Sequence, residues 1–118
     1  MEHSLLNLGS LEQLRRDISA AAFPRLLDAF SSEVRERVGL IVEAGCTAKF
    51  ATLEREAHAM KSVAGSYGAT ALYEACHEIE MMCAGDRDEG VASSVRALEA
   101  LARATLEAFE KWRRTIAT

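Results

Sequence analysis

Phe50-Ala-Thr-Leu53-Glu54-Arg-Glu-Ala57-His58-Ala-Met60-Lys61-Ser62-Val-Ala64-Gly65-Ser66-Tyr67-Gly68 reads as an amphipathic α-helix, because its apolar residues recur at alternating spacings of three and four. At ~100° per residue, the stripe Leu53, Ala57, Met60, Ala64 and Tyr67 centres roughly 130° away from His58. The histidine therefore faces water. Positions i, i+3, i+4 and i+7 share one side of a helix, which groups His58 with Lys61, Ser62 and Gly65. Thr47 is a suitable N-cap and Gly68 a suitable stop, so this helix is expected over about residues 47–67.

The same periodicity extends in both directions. Ser10-Leu-Glu-Gln13 has capping-box spacing and predicts a short first helix through about Ser19. Pro24 suits the first turn of a second helix, with Phe23, Leu27, Phe30, Val34, Val38 and Ile41 on its apolar face. That helix is expected to reach about Ala44, with Gly45 closing it in a left-handed conformation. Gly39, in its middle, costs roughly 1 kcal/mol relative to alanine and suggests a close helix approach. After Gly68 a fourth helix runs from about Ala69 to Ala84, with Leu72, Cys76, Ile79 and Cys83 inward, and Gly85 stops it. Asp86-Arg-Asp-Glu89 resembles a capping box for the last helix, whose stripe is Val91, Val95, Leu98, Ala102, Thr105, Phe109, Trp112 and Ile116. Four long amphipathic helices with short connections imply an all-α fold, an antiparallel up-down four-helix bundle with a short additional N-terminal helix. Residues 1–118 form one domain.

Composition excludes several function classes. A net charge of −4 argues against nucleic acid. Lys111, Arg113 and Arg114 read as the usual positive complement to a helix C-terminus. No apolar run approaches the ~20 residues that span a bilayer, and Met1-Glu2-His3-Ser4 lacks the regions of a signal peptide, so a cytoplasmic location is expected. Cys46, Cys76 and Cys83 form an odd set without CxxC spacing, which suits free packing thiols in a reducing compartment.

A metal site is not expected. Glu74-Ala-Cys-His77 has the i,i+3 spacing of a di-iron ligand pair, but no second such pair exists, and both residues fall outside the stripe facing the core. Cys76, Cys83 and His77 lack a fourth zinc ligand at recognisable spacing. Neither a P-loop nor a glycine-rich nucleotide loop occurs, which argues against an ATP-using kinase.

Residues 47 to 84 resemble the signature of the histidine-containing phosphotransfer (HPt) domain family. The family pattern is a histidine, a lysine three residues on, a small residue, a glycine ten residues past the histidine, then a leucine and a small or cysteine position leading to an acidic residue. Here those are His58, Lys61, Ser62, Gly68, Leu72, Cys76 and Glu80. The family usually has glycine directly after the lysine, where this chain has Ser62. The resemblance implies a phosphorelay carrier that takes a phosphoryl group on His58 from a receiver-domain aspartate and passes it to another receiver. It implies receiver domains of response regulators or hybrid kinases as partners, Mg²⁺ supplied by the receiver, no intrinsic cofactor and a monomer. A helical adaptor that binds a receiver or kinase without being phosphorylated is the alternative.

The residue types suit that chemistry. A neutral imidazole offers a nitrogen lone pair at physiological pH, so His58 can act as a nucleophile. Lys61, with its ammonium on the solvent side, supplies a point charge for phosphoryl oxygens. Ser62, Gly65 and Ser66 keep the helix surface low for an approaching partner. Glu54, one turn before His58, is placed either to accept a hydrogen bond from its imidazole N–H and fix the tautomer or to form a solvated i,i+4 pair of no consequence. His3 falls in the terminus and His77 lies outside the signature.

Overall fold

The computed structural model describes residues 5–85 and 89–116 of the 118-residue chain. Among them are five helices and no strand: α1 Leu8–Asp17, α2 Phe23–Cys46, α3 Phe50–Ser66, α4 Thr70–Ala84 and α5 Val91–Ile116. Helices α2 to α5 form a ring in which α3 touches α2 and α4, and α5 touches the same two. Short connections between successive helices force neighbours to run antiparallel. The expected bundle is the observed one.

The core is where the apolar periodicity puts it. Phe23, Leu27, Phe30, Val34 and Ile41 of α2 are buried, as are Leu53, Ala57, Met60 and Ala64 of α3. Leu72, Cys76 and Ile79 of α4 join them, with Val91, Val95, Leu98, Ala102, Thr105, Phe109 and Trp112 of α5. Phe30 packs between Tyr67 and Phe109, with ring centroids 4.6 and 4.5 Å away, and Trp112 meets Phe23 edge-on at 6.3 Å. Such tilted and edge contacts suit the quadrupoles of the rings. No helix of the described residues is long and apolar enough to cross a membrane.

Helix ends differ from the expected ones in instructive ways. Asn7, not Ser10, caps α1: its side-chain Oδ1 accepts from the backbone N–H of Ser10 at 3.1 Å, so Ser10 lies within the first turn. A cap needs an acceptor three residues before an orphan N–H, and Asn7 supplies it first. Helix α2 does not stop at Gly45. It continues to Cys46, and the left-handed residue is Ala48 (φ 55°), with Lys49 N–H donating to the Ala44 carbonyl at 3.0 Å. This is a Schellman turn built without glycine. Thr47 belongs to that turn, donating its hydroxyl to the Glu43 carbonyl at 2.9 Å, and Lys49 precedes α3 as its N-cap without a side-chain bond.

Gly45 has another reason to be glycine. A Cβ there would lie 3.1 Å from Val95 Cγ2, so the close helix approach occurs at Gly45, between α2 and α5. Around Gly39 a Cβ would meet nothing within 4 Å, and nothing in the structure explains that glycine. Gly85 follows α4 with φ −93°, an ordinary right-handed value. The Asp86-Arg-Asp-Glu89 capping box includes residues 86–88, outside the described residues.

Helix α3 ends in a second Schellman turn. Ala69 N–H donates to the Ala64 carbonyl at 2.9 Å, and Gly68 holds φ +69° between them. The Gly68 carbonyl then accepts from the Asn7 N–H at 2.6 Å, which seats the start of α1 on the α3–α4 turn. The short helix thereby covers one end of the bundle.

Candidate functional site

His58 sits in the third turn of α3 with its side chain 62% exposed, on the opposite side from the buried Ala57 and Met60. Its environment is set by α4, which packs alongside α3. His58 Nδ1 lies 2.7 Å from Glu80 Oε2, and Lys61 Nζ lies 2.6 Å from Glu80 Oε1. One carboxylate thus bridges both candidate residues. A carboxylate can only accept here, so Nδ1 carries the proton and the lone pair is left on Nε2.

The carboxylate that i,i+4 spacing offers His58 is that of Glu54. The structure supplies Glu80 instead, because Glu54 stands on the same half-solvated helix face, while Glu80 projects from α4 across the groove. Lys61 also departs from expectation. Its ammonium does not extend into solvent but lies along α4, 17% exposed, against Glu80, with His77 Nδ1 at 3.5 Å and the Tyr73 ring centroid at 6.0 Å. The Glu80 carboxylate, only 19% exposed, is the nearest of these partners.

Electrostatics follow the geometry. The Lys61 ammonium, then the His58 imidazole, hold the Glu80 carboxyl below its ordinary 4.5, and Glu80 in turn raises Lys61 above 10.5. For Glu80, stability from the pair is fully present above 4.5 and is lost as pH falls through the lowered folded value. For Lys61, it is present below 10.5 and is lost as pH rises through the raised one. At neutral pH both partners are charged.

The remaining predicted positions divide between surface and scaffold. Ser62, Gly65 and Ser66 are exposed, and the two hydroxyls bond back to the helix, Ser62 to the His58 carbonyl at 3.4 Å and Ser66 to the Ser62 carbonyl at 3.1 Å. A Cβ on Gly65 would rest on the Tyr73 ring at 3.4 Å, an ordinary contact. Leu72 and Cys76 are core residues, and burial pushes the Cys76 thiol up to about 12, as befits an inert packing thiol. Glu74 and His77 are exposed on α4, away from the bundle interior, which disposes of the di-iron arrangement. Sequence reasoning missed His77 and Tyr73 and gave Glu80 only a structural part. The signal was the i, i+4, i+7 spacing of Tyr73, His77 and Glu80, which puts all three on the flank of α4 next to its buried stripe.

Residues 25–112, which hold α3, α4 and every group just described, match the sequence profile of the Hpt domain. The chain belongs to the Hpt domain family. Phosphorelay protein LuxU of Vibrio harveyi is 28% identical over 112 residues, covering 95% of this chain and 98% of that protein. The protein of the same name from Vibrio vulnificus strain YJ016 is 31% identical over 109 residues, covering 92% and 94%. The crystal structure of histidine-containing phosphotransfer protein B (HptB) from Pseudomonas aeruginosa PAO1 superposes with a TM-score of 0.87 at 22% identity, covering 94% of this chain and 96% of that one, and shows the shared fold. In this Hpt domain the profile match begins within α2, so α1 lies outside it, while Gly68, on which α1 is seated, lies inside.

Glu80 orients the imidazole of this Hpt domain by a charge-assisted bond. Glu80→Gln keeps an acceptor for Nδ1–H but removes the charge, so phosphoryl uptake is expected to slow by roughly tenfold, about 1.4 kcal/mol on the barrier. Single-turnover rates would check this, and a rate equal to that of the unsubstituted protein would remove Glu80 from the chemistry.

Proposed function

We propose that His58 Nε2 is the phosphoryl acceptor of this histidine phosphotransfer protein, taking the group from a receiver-domain aspartyl phosphate and giving it to the aspartate of another receiver. The observation that carries this reading is the single carboxylate of Glu80 shared between His58 Nδ1 and Lys61 Nζ. In the forward step the Nε2 lone pair bonds to phosphorus as the bond from phosphorus to the aspartyl oxygen breaks, releasing a carboxylate. Nδ1 keeps its proton. The ring gains positive character as the N–P bond forms, and Glu80 stabilises that charge across 2.7 Å. Lys61 stands one helical turn from His58 as the cation available to phosphoryl oxygens. The Mg²⁺ of the reaction is assigned to the partner receiver.

The partner reaches His58 over Ser62, Gly65 and Ser66, whose small side chains allow close approach. Incubating the protein with a radiolabelled phospho-receiver tests the function directly. Label moving to this chain in acid-labile form supports the carrier reading. A stable complex without label transfer would favour the adaptor instead.

Gly65→Gln probes the docking surface separately from folding. It replaces a helix-interior glycine, which favours the helix by up to ~1 kcal/mol, and its Cβ meets only the edge of Tyr73. Receiver affinity is expected to fall at least tenfold while the thermal midpoint holds or rises. Receiver titrations and circular dichroism melts on the same variant would check both halves, and unchanged affinity would mean that the partner docks elsewhere.

A further inference from the structure

Three side chains of α4 surround the Lys61 ammonium: Glu80 at 2.6 Å, His77 at 3.5 Å and the Tyr73 ring at 6.0 Å. An ammonium has protons and no lone pair, so an imidazole nitrogen facing it favourably must be unprotonated. The nitrogen that faces it is His77 Nδ1. We propose that His77 is a positioning residue for Lys61 and acts as a proton-operated latch. Neutral His77 helps hold the ammonium against Glu80, and protonated His77, a second cation at the same distance, drives the ammonium off the α4 flank.

Imidazole is the side chain whose charge changes between about pH 5 and pH 8, and Glu80 stays ionised over that range because it is held below 4.5. The latch therefore opens on one proton. The charged and titratable groups around His77 are Lys61 from α3, Tyr73, Glu74, Glu78 and Glu80 from its own helix, and Glu89 before α5. Glu74, Glu78 and Glu89 line, together with His77, an open groove of about 800 Å³. His77 thus has solvent access for proton exchange while its Nδ1 faces the Lys61 ammonium. Where His58 carries the phosphoryl group, as proposed above, the released ammonium is free to turn one helical turn along α3 toward it.

The test needs no phosphoryl donor, so it stands or falls independently of the role given to His58. Side-chain order parameters of the Lys61 Cε methylene are measured by NMR at about pH 8 and about pH 5. They are compared in the unsubstituted protein, in His77→Gln, whose amide oxygen accepts without titrating, and in His77→Ala, which has no acceptor. At the higher pH the unsubstituted chain and His77→Gln are expected to show similar order, and His77→Ala a clearly lower order parameter than either. At the lower pH the unsubstituted chain joins His77→Ala while His77→Gln remains ordered. If the unsubstituted protein follows His77→Gln at both pH values, or if His77→Ala is as ordered as His77→Gln, the latch does not exist.

Discussion

His58→Gln is expected to take up no phosphoryl group from a phosphorylated receiver while folding as before. Glutamine fills a similar space and can still reach toward Glu80, but its amide has no nitrogen lone pair available for attack. Stability is expected to change little, because the His58 side chain is 62% exposed and substitutions at such positions usually stay within about 0.5 kcal/mol. The measurement is label retained after gel separation, before and after acid treatment, beside a thermal melt of the same variant. Acid-labile label surviving on His58→Gln would transfer the acceptor role to His77, whose imidazole also lies near Lys61. Acid-stable label would point to a hydroxyl such as that of Ser62 or Ser66.

The second large effect is on stability, at Gly68. Two independent constraints meet there: φ is +69°, and an added Cβ would lie 2.9 Å from the Asn7 carbonyl oxygen and 3.1 Å from Ser10 Cβ. The left-handed conformation alone costs a non-glycine residue about 1–2 kcal/mol, and overpacking against a neighbour adds ~1–3 kcal/mol. The nearer obstacle is backbone, held by the 2.6 Å bond from Asn7 N–H to the Gly68 carbonyl, so it cannot swing aside as a side chain would. Gly68→Ala is therefore expected to destabilise the fold by roughly 2–4 kcal/mol and to lower the thermal midpoint by ~10 °C or more. Gly65→Ala is the control, since its Cβ meets only the Tyr73 ring at 3.4 Å in an ordinary helical turn. Equal midpoints for Gly68→Ala and the unsubstituted chain would show that α1 is not seated on this turn.

Ala48 sharpens the comparison. It occupies the same left-handed position after α2 that Gly68 occupies after α3, yet it is alanine and is exposed. Backbone angle alone therefore does not demand glycine in this chain. The demand at Gly68 comes from the neighbouring strand of chain at Asn7, which a local reading of helix ends cannot see.

Periodicity along one helix is a local property, and it was enough to assign the buried stripes of α2 to α5 and the exposed side of α3 that carries His58, Lys61, Ser62 and Gly65. Those assignments need only the 3.6-residue turn and the preference of apolar side chains for the interior. What touches what across two helices is a different kind of quantity. Glu54 and Glu80 are both acidic residues near His58 in some sense, the first by sequence and the second across the α3–α4 groove, and only the packing of the two helices decides that Glu80 makes the 2.7 Å contact. The same packing turns Lys61 from the solvent toward Glu80 and His77, and places the close approach of α2 and α5 at Gly45 rather than Gly39. The sequence by itself determined the helices and their inward faces, because each depends on neighbours within two turns of one helix, and it singled out the nucleophile candidate through the resemblance of residues 47 to 84 to the HPt signature. Tertiary structure alone decided the orienting carboxylate, the resting place of the ammonium and the need for glycine at Gly68, because each depends on atoms brought within hydrogen-bond or van der Waals distance from a different helix.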